Sequence, residues 1–206
     1  ESNVGLTRRI CEASNKVIFA STDQVFKGAF TDPDYKETDP INPHSVYGET
    51  KAMGEEIVRQ HCGAIVRLDA VFGVDNKIFD NVEAALQGKD YFPFWTNAII
   101  KPTHFEDILK VLNIVIKQDK SGIYHVACDG STLTRAGVAD LALDVYREWG
   151  FRRKRNSFEY GLRKMNGKVE GAKLILDTKS TKKQLTIPSF RDSIETIREH
   201  VLWAKR

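Results

Sequence analysis

The chain has 206 residues, of which 41% are hydrophobic and 29% are charged, and its formal net charge is +3 at pH 7. This composition predicts a globular protein with a substantial core, and so small a charge does not indicate an obligate anionic partner. No apolar run approaches the roughly 18 residues of a membrane span, so we expect a soluble protein with no membrane partner.

Three cysteines, Cys11, Cys62 and Cys128, lie far apart in the sequence. An odd number of dispersed cysteines fits a reducing compartment, and we therefore predict a cytoplasmic protein without disulfides. Free cysteine commonly packs in protein cores, so all three are predicted to be small buried side chains. No cluster of cysteine, histidine and acidic residues has metal-ligand spacing, and no metal site is predicted.

Strand and helix patterns alternate along the chain. Short apolar runs predict buried strands, and apolar residues that recur on one helical face predict amphipathic helices. In chain order, the predicted elements are a helix at 4–14, a strand at 16–20, a helix at 45–62, a strand at 64–73, helices at 77–88 and 104–118, a strand at 122–127, a helix at 134–149 and a helix after Pro188. This alternation is typical of an α/β fold with a parallel sheet, followed by a smaller mixed region.

Two helix starts carry capping signals. Ser45 is predicted to begin the helix that follows a long loop rich in Asp and Pro, and such loops are often functional. Thr103 and Glu106 have the spacing of a capping box, which predicts that Thr103 caps the helix at 104–118. His104 and His125 are predicted to be packing or capping residues rather than ligands.

Tyr47 and Lys51 lie four residues apart on the predicted helix "SVYGETKAMGEEI" (45–57), so both project from one face. A free tyrosine has a pKa of about 10, and a neighbouring ammonium would lower it and favour proton transfer at neutral pH. The same spacing also occurs by chance, so a surface pair without a function is the alternative interpretation.

Thr22 provides a second signal, because the apolar strand "KVIFA" ends directly in Ser-Thr-Asp. Open α/β sheets bind ligands at the carboxyl ends of their strands. A hydroxyl at that position can form a hydrogen bond with a substrate carbonyl or alcohol. Ser21 and Asp23 are open to a simpler interpretation, in which they cap the turn that follows.

The ordered segments "KVIFASTDQVF", "DPINPHSVYGETKAMGEEIV", "AIVRLDAVFG" and "KPTHFEDILKVL" resemble the extended short-chain dehydrogenase/reductase family. Within it they are most similar to the dTDP-4-dehydrorhamnose reductase branch, which also includes the regulatory β subunit of methionine adenosyltransferase. The ordered combination is far more specific than the Tyr–Lys spacing alone. The resemblance implies a Rossmann-type parallel sheet, with its N-terminal part missing, and a smaller α/β substrate domain.

The resemblance also implies roles for particular residues. Thr22, Tyr47 and Lys51 would be catalytic: Tyr47 would be the general acid or base, Lys51 would hold the nicotinamide ribose and lower the pKa of Tyr47, and Thr22 would orient the reacting oxygen. The cofactor, NADP or NAD, would lie against Tyr47, Lys51, Asp69 and Ala70. The substrate, a nucleotide-activated sugar, would contact Asp23, Gln24, Val25, Val71 and Lys101.

The sequence departs from the family pattern in two ways. The branch usually has Tyr at the position of Gln24 and Ser-Trp near Asp69 and Ala70, which leaves the sugar specificity open. The chain has 14 glycines, but none has the GxGxxG spacing that binds a dinucleotide pyrophosphate. We therefore expect 1–72 to be the C-terminal part of an NAD(P)-binding domain and 73–206 to be mainly a substrate-binding domain, with 104–127 packing back on the sheet.

Three functions are compatible with the sequence. The first is an NAD(P)-dependent reductase or epimerase of a nucleotide-activated sugar, and the second is a non-catalytic regulatory or binding subunit on the same scaffold. The third, nucleic-acid binding through the basic segment "FRRKR" at 151–155, is not expected, because such a run is usually only solvated. That segment could instead approach a substrate diphosphate, and an aromatic cluster at 91–95 could form core or line a base pocket. A homo-oligomer is left open.

Overall fold

The computed structural model of the chain describes residues 2–73, 77–86, 94–148, 164–165 and 173–203. Helices lie at Ser2–Ala13 (α1), Val46–Gln60 (α2), Lys77–Leu86 (α3), Phe105–Lys117 (α4), Arg135–Glu148 (α5), Lys179–Leu185 (α6) and Ser193–Trp203 (α7). Strands lie at Ile18–Thr22 (β1), Ala64–Leu68 (β2), Val71–Phe72 (β3), Phe94–Trp95 (β4), Ile99–Ile100 (β5), Thr103–His104 (β6), Gly122–Val126 (β7), Leu133–Thr134 (β8) and Lys164–Met165 (β9). A 3₁₀ turn covers Asp23–Val25.

A parallel sheet in the order β1-β2-β7 forms the centre of the structure. Helices α1 and α2 cover one face through a cluster that includes Cys11, Ile57 and Ile65. Helix α4 covers the opposite face, where Val111 packs with Val66 of the central strand. Because both faces are buried, β2 is apolar almost throughout, as is typical of parallel strands between helices. The predicted α/β fold with a parallel sheet is confirmed.

The predicted strand at 64–73 is wrong in one respect, because it is interrupted. Strand β2 ends at Leu68, and β3 pairs instead with β6 in a separate two-stranded ladder. The Asp69 carboxylate accepts hydrogen bonds from the Ala70 amide at 2.6 Å and from the Lys101 amide at 2.8 Å. These two contacts turn the chain out of the sheet and hold it against the segment that precedes β6.

A second cluster forms where α3, α5 and α7 pack together, with Phe72, Phe79 and Val138 among its buried members. After α5 the chain leaves this cluster at α6 and returns to it at α7. Leu185, at the end of α6, packs with α4 and β7 on the central sheet. Strand β7 itself pairs with β2. The division into domains at residues 72 and 73 therefore stays a prediction, with segments from both sides of it packed on one sheet.

Arg67 of β2 and Glu55 of α2 form an ion pair between the sheet and this helix, and each side chain is only 1% exposed. The guanidinium donates from Nη2 to Glu55 Oε2 at 2.7 Å and from Nε to Oε1 at 2.9 Å. It also donates from Nη1 to His125 Nε2 at 3.2 Å and to the Glu37 carbonyl at 3.3 Å. Ser21 donates to Glu55 Oε1 at 2.5 Å. These contacts join α2 to all three strands of the sheet.

Two further sequence predictions are wrong. Cys11 and Cys128 are buried, but Cys62 is exposed, because it follows α2 in a left-handed conformation with φ of 53°. The cap of α4 is His104 rather than Thr103: His104 Nδ1 accepts the Glu106 amide at 3.2 Å, which confirms the capping prediction for this histidine. The Thr103 hydroxyl is engaged elsewhere, donating to the Val126 carbonyl at 3.0 Å.

Within the described residues, no helix has the length and apolar character needed to cross a membrane.

Removing one partner of the buried ion pair should be costly. In Glu55→Ala, the Arg67 guanidinium stays buried without its carboxylate, so we expect the free energy of unfolding to fall by about 3–5 kcal/mol. Glu56→Ala is the matched control, since the neighbouring Glu56 pairs with Arg59 at the surface, where loss of a pair costs about 0–1 kcal/mol. Urea unfolding followed by circular dichroism measures both. Equal losses in the two variants would contradict the importance of the buried pair.

Candidate active site

The start of α2 is fixed against the 3₁₀ turn that follows β1. Ser45 caps the helix, and its Oγ accepts the Gly48 amide at 3.1 Å, which confirms the predicted helix start. Gly48 has no room for a side chain, because a Cβ there would lie 2.2 Å from the backbone oxygen of Gln24 and 2.9 Å from the Pro43 side chain. This close approach brings Tyr47, one residue earlier, to the end of β1 at Thr22.

Thr22 and Tyr47 lie on the wall of one cavity of about 360 Å³. Six of the residues predicted for the site line it, and they are Thr22, Asp23, Gln24, Tyr47, Asp69 and Ala70. They come from the end of β1, the first turn of α2 and the turn after β2. Tyr47 is half-exposed, at 48%, and lies at the cavity beside Thr22.

The other four predicted residues do not line the cavity. The Lys51 ammonium donates to the Ala20 carbonyl at 2.8 Å and lies 5.9 Å from the centroid of the Tyr47 ring. Val25 is fully buried in a core cluster, and Val71 lies in the β3–β6 ladder. Lys101 contributes its backbone amide to Asp69. Lys51 is thus held at the edge of the site, while Val25 contributes to the core.

The pKa of Tyr47 is raised, so the predicted lowering by Lys51 is wrong for the chain by itself. Burial raises this pKa most, the charge of Asp23 adds to the rise, and a hydrogen bond with Thr22 lowers it. Helical spacing placed the ammonium near the phenol, but the Lys51 side chain turns back toward β1. At neutral pH the phenol therefore holds its proton, as a general acid must.

Two carboxyl groups share the cavity. Burial raises the pKa of Asp23 to about 6, against the opposing effects of the Thr22 hydroxyl, the Gln24 amide and Arg135. Burial also raises the pKa of Asp69 well above its usual value, and the charge of Asp23 adds to that rise. Like charges in a site with little water disfavour each other, which keeps this pair from being fully ionised.

The structure adds lining residues that sequence reasoning missed. These are His44, Ala98, Ile99, Ile100, Arg135 and Leu174, together with Trp95 from the predicted aromatic cluster. Arg135 is the first residue of α5 and contributes a guanidinium to the cavity. His44 had a signal, since it directly precedes the cap Ser45 in the long loop rich in Asp and Pro, whereas the others are brought in by tertiary packing alone. Of the other predicted aromatics, Phe94 is buried in the core cluster of α3, α5 and α7. Tyr91, Phe92 and the basic segment 151–155 lie outside the described residues.

A comparison with family models decides the family. The model described as the RmlD substrate binding domain matches residues 3–201. The chain belongs to this family. The match confirms the resemblance to the dTDP-4-dehydrorhamnose reductase branch.

The chain matches curated relatives over only part of their length. SpsK of Bacillus subtilis, a spore coat polysaccharide biosynthesis protein, is 33% identical over 116 residues, which are 55% of this chain and 40% of SpsK. The β subunit of methionine adenosyltransferase 2 from Danio rerio is 31% identical over 121 residues, which are 53% and 37% of the two chains. The dTDP-4-dehydrorhamnose reductase of Shigella flexneri is 29% identical over 160 residues, or 72% and 53%. The chain thus spans about half or less of these relatives.

A solved structure shows the same fold. DesIV from Streptomyces venezuelae, a dTDP-glucose 4,6-dehydratase crystallised with NAD and TYD, superposes with a TM-score of 0.80. The superposition covers 98% of this chain and 65% of DesIV at 21% sequence identity. Identity this low carries the fold and not the activity.

The close contact between Gly48 and Gln24 predicts that Gly→Ala changes at two helix positions shift the melting temperature in opposite directions. Ala normally stabilises a helix by about 0.5–1 kcal/mol relative to Gly. In Gly48→Ala, however, the new Cβ meets backbone that cannot move freely, so we expect a lower melting temperature. Gly5→Ala is the control, because a Cβ at Gly5 in α1 meets nothing within 4 Å, and it should raise the melting temperature. A rise in both variants would contradict the close approach of α2 to the 3₁₀ turn.

Proposed function

We propose that this chain forms the catalytic and substrate-binding part of an NAD(P)-dependent reductase or epimerase that acts on a nucleotide-activated sugar. The observation that carries the proposal is the meeting of Thr22 and Tyr47 at one cavity. A hydroxyl and a half-exposed phenol on one wall are the donors that a reacting carbonyl oxygen requires. The family match and the relative named dTDP-4-dehydrorhamnose reductase support the substrate class.

The two hydroxyl groups would have different roles. Tyr47 would donate its proton to the carbonyl oxygen of the sugar during reduction, and its raised pKa keeps it protonated until that step. Thr22 would hold the same oxygen in place. Trp95 and Leu174 also line the cavity and would exclude water from it, which strengthens each hydrogen bond to the substrate.

The residues fit the nicotinamide end of the cofactor. Tyr47 is half-exposed near Lys51, whose ammonium donates to the Ala20 carbonyl in β1, and Asp69 and Ala70 line the same cavity as Tyr47. A bound nicotinamide supplies hydride chemistry. Lys51 would leave the Ala20 carbonyl for the ribose hydroxyls, and its charge would then oppose the rise in the Tyr47 pKa. Both NAD and NADP fit these residues.

The pyrophosphate would be held elsewhere, since this sequence has no GxGxxG spacing. Among the described strands, β1 pairs only with β2, so its second edge has no partner in that part of the chain. A further strand at this edge, from another segment of the protein or from another chain, would complete the cofactor site. A homo-oligomer is one way to provide it.

The second candidate is a regulatory or binding subunit without turnover. Lys51 is directed to the Ala20 carbonyl rather than toward Tyr47, and Gln24 replaces the usual Tyr. The relative named as a β subunit of methionine adenosyltransferase 2 supports this alternative. For either function we place the protein in the cytoplasm, because Cys11, Cys62 and Cys128 are free thiols.

Calorimetric titration with NADH and NADPH, followed by an assay with dTDP-4-keto sugars, tests the proposal. Once the pyrophosphate site is completed, we expect one cofactor to bind in the micromolar range and to be oxidised by the sugar. Tyr47→Phe should retain cofactor binding but lose about 10²–10⁴-fold in rate, because it removes the proton donor. Tyr124→Phe is the control, since its hydroxyl donates to the Ser121 carbonyl and Tyr124 does not line the cavity among the described residues.

Other outcomes separate the candidates. Cofactor binding without hydride transfer to any sugar would favour the regulatory subunit. Absence of binding would contradict an autonomous oxidoreductase and would direct the search to the missing pyrophosphate site.

A further inference from the structure

The Thr22 hydroxyl is already committed to a neighbour. It donates its proton to Asp23 Oδ1 at 2.8 Å, and its oxygen accepts the Gln24 amide at 3.3 Å. A hydroxyl has a single proton. While Thr22 donates to Asp23, it therefore has no proton to donate to a substrate carbonyl.

Asp23 lies in an environment that makes its charge costly. Asp23 is next to Thr22 of β1. The other ionisable residues that line the cavity, among those described, are Tyr47 on α2, His44 in the preceding loop, Asp69 after β2 and Arg135 on α5. The Asp69 carboxyl accepts two backbone amides, from Ala70 and Lys101, and has a raised pKa. Of these groups, only Arg135 is a permanent cation that favours the charged form of Asp23.

We propose that Asp23 is a positioning residue that controls where the Thr22 hydroxyl donates its proton. When the carboxyl is ionised, it accepts this proton and holds it away from the reacting oxygen. When the carboxyl is protonated, its own O–H donates to Thr22 Oγ, and the Thr22 proton turns toward the cavity. The identity of the reacting oxygen rests on the function proposed above, whereas the exchange of hydrogen bonds does not.

Because of this exchange of hydrogen bonds, reduction of a carbonyl and oxidation of an alcohol favour opposite protonation states of Asp23. A carbonyl oxygen needs donors, so both Tyr47 and Thr22 can serve it only when Asp23 is protonated. An alcohol substrate must donate its own proton, and Thr22 is free to accept it when its hydroxyl points to ionised Asp23. Because burial raises the pKa of Asp23 to about 6, the change falls near physiological pH.

The charge on Asp23 also acts on Tyr47. This charge contributes to the raised pKa of the phenol, after the larger effect of burial. Replacing Asp23 with a neutral residue of the same shape should therefore lower the pKa of Tyr47. This shift reports the charge of Asp23 beside the phenol, whereas the direction of the Thr22 hydrogen bond is reported by the Thr22 signals.

Nuclear magnetic resonance titration of the 206-residue chain, labelled with ¹³C at Tyr Cζ, Asp Cγ and the Thr side chains, tests the proposal without cofactor or substrate. We expect Asp23 Cγ and Thr22 Cβ to titrate together near pH 6. Asp23→Asn should abolish the Thr22 step and shift the Tyr47 titration to lower pH. Asp144→Asn is the control, because Asp144 is exposed and pairs with Arg147 on α5; it should leave both unchanged.

Two Thr22 variants separate the hydrogen bond from folding. Thr22→Val removes the hydroxyl that stabilises ionised Asp23, so the Asp23 titration should move to higher pH; Thr22→Ser should restore it. A Thr22 signal that stays constant while Asp23 titrates, or an Asp23 titration unchanged in Thr22→Val, would overturn the proposal. If these shifts occur but NADH does not bind, only the proposed function fails; reduction without these shifts would refute Asp23 control alone.

Discussion

The buried pair of Arg67 and Glu55 determines how the two halves of the candidate site meet. Removing two charges from water is costly, and the cost is offset here by their mutual hydrogen bonds and by those with Ser21, His125 and the Glu37 carbonyl. Ser21, which donates to Glu55, directly precedes Thr22 on β1. Glu55 itself lies about two turns after Tyr47 on α2. One buried carboxylate therefore fixes the strand with the hydroxyl relative to the helix with the phenol.

His125 completes this arrangement from the third strand. Its Nε2 accepts a hydrogen bond from Arg67, and its Nδ1 therefore carries the proton and donates to the Asp177 carbonyl at 3.2 Å. Burial, together with the charge of Arg67, lowers the pKa of His125 to about 3. The neutral ring acts as an acceptor for the guanidinium, which is why a histidine in this strand packs within the core rather than binding a ligand.

The positions of site residues could be predicted from the sequence where they depend on neighbouring residues in the chain. Thr22 is placed by the end of an apolar strand, and Tyr47 is placed by a capped helix whose third residue is Gly48. The interruption after Leu68 was missed because it depends on Asp69 bonding Lys101, which is remote in sequence. Arg135 and Leu174 were missed for the same reason: nothing in the sequence around them indicates that α5 and the C-terminal segment contribute to the cavity.

The electrostatics of the site could be predicted least well. Helical spacing correctly placed Lys51 one turn after Tyr47, but spacing does not determine where a flexible side chain reaches, and Lys51 bonds Ala20 instead. The groups that set the pKa of Tyr47 are its burial and Asp23, both consequences of packing. Sequence reasoning considered the cation on the same helix and overlooked the carboxylate on the neighbouring turn.

Charge suppression in the cavity bears on the proposed substrate. A nucleotide sugar carries a negative diphosphate, and two ionised carboxylates beside it would oppose its binding. Burial raises the pKa of Asp69 well above its usual value and the pKa of Asp23 to about 6, so ionisation of both carboxyls is suppressed. The Arg135 guanidinium supplies a positive charge at the same cavity. The walls that exclude water thus make an acidic cavity compatible with an anionic ligand. The same walls also place the Asp23 proton within reach of Thr22, so substrate tolerance and control of the Thr22 hydroxyl have a common physical origin.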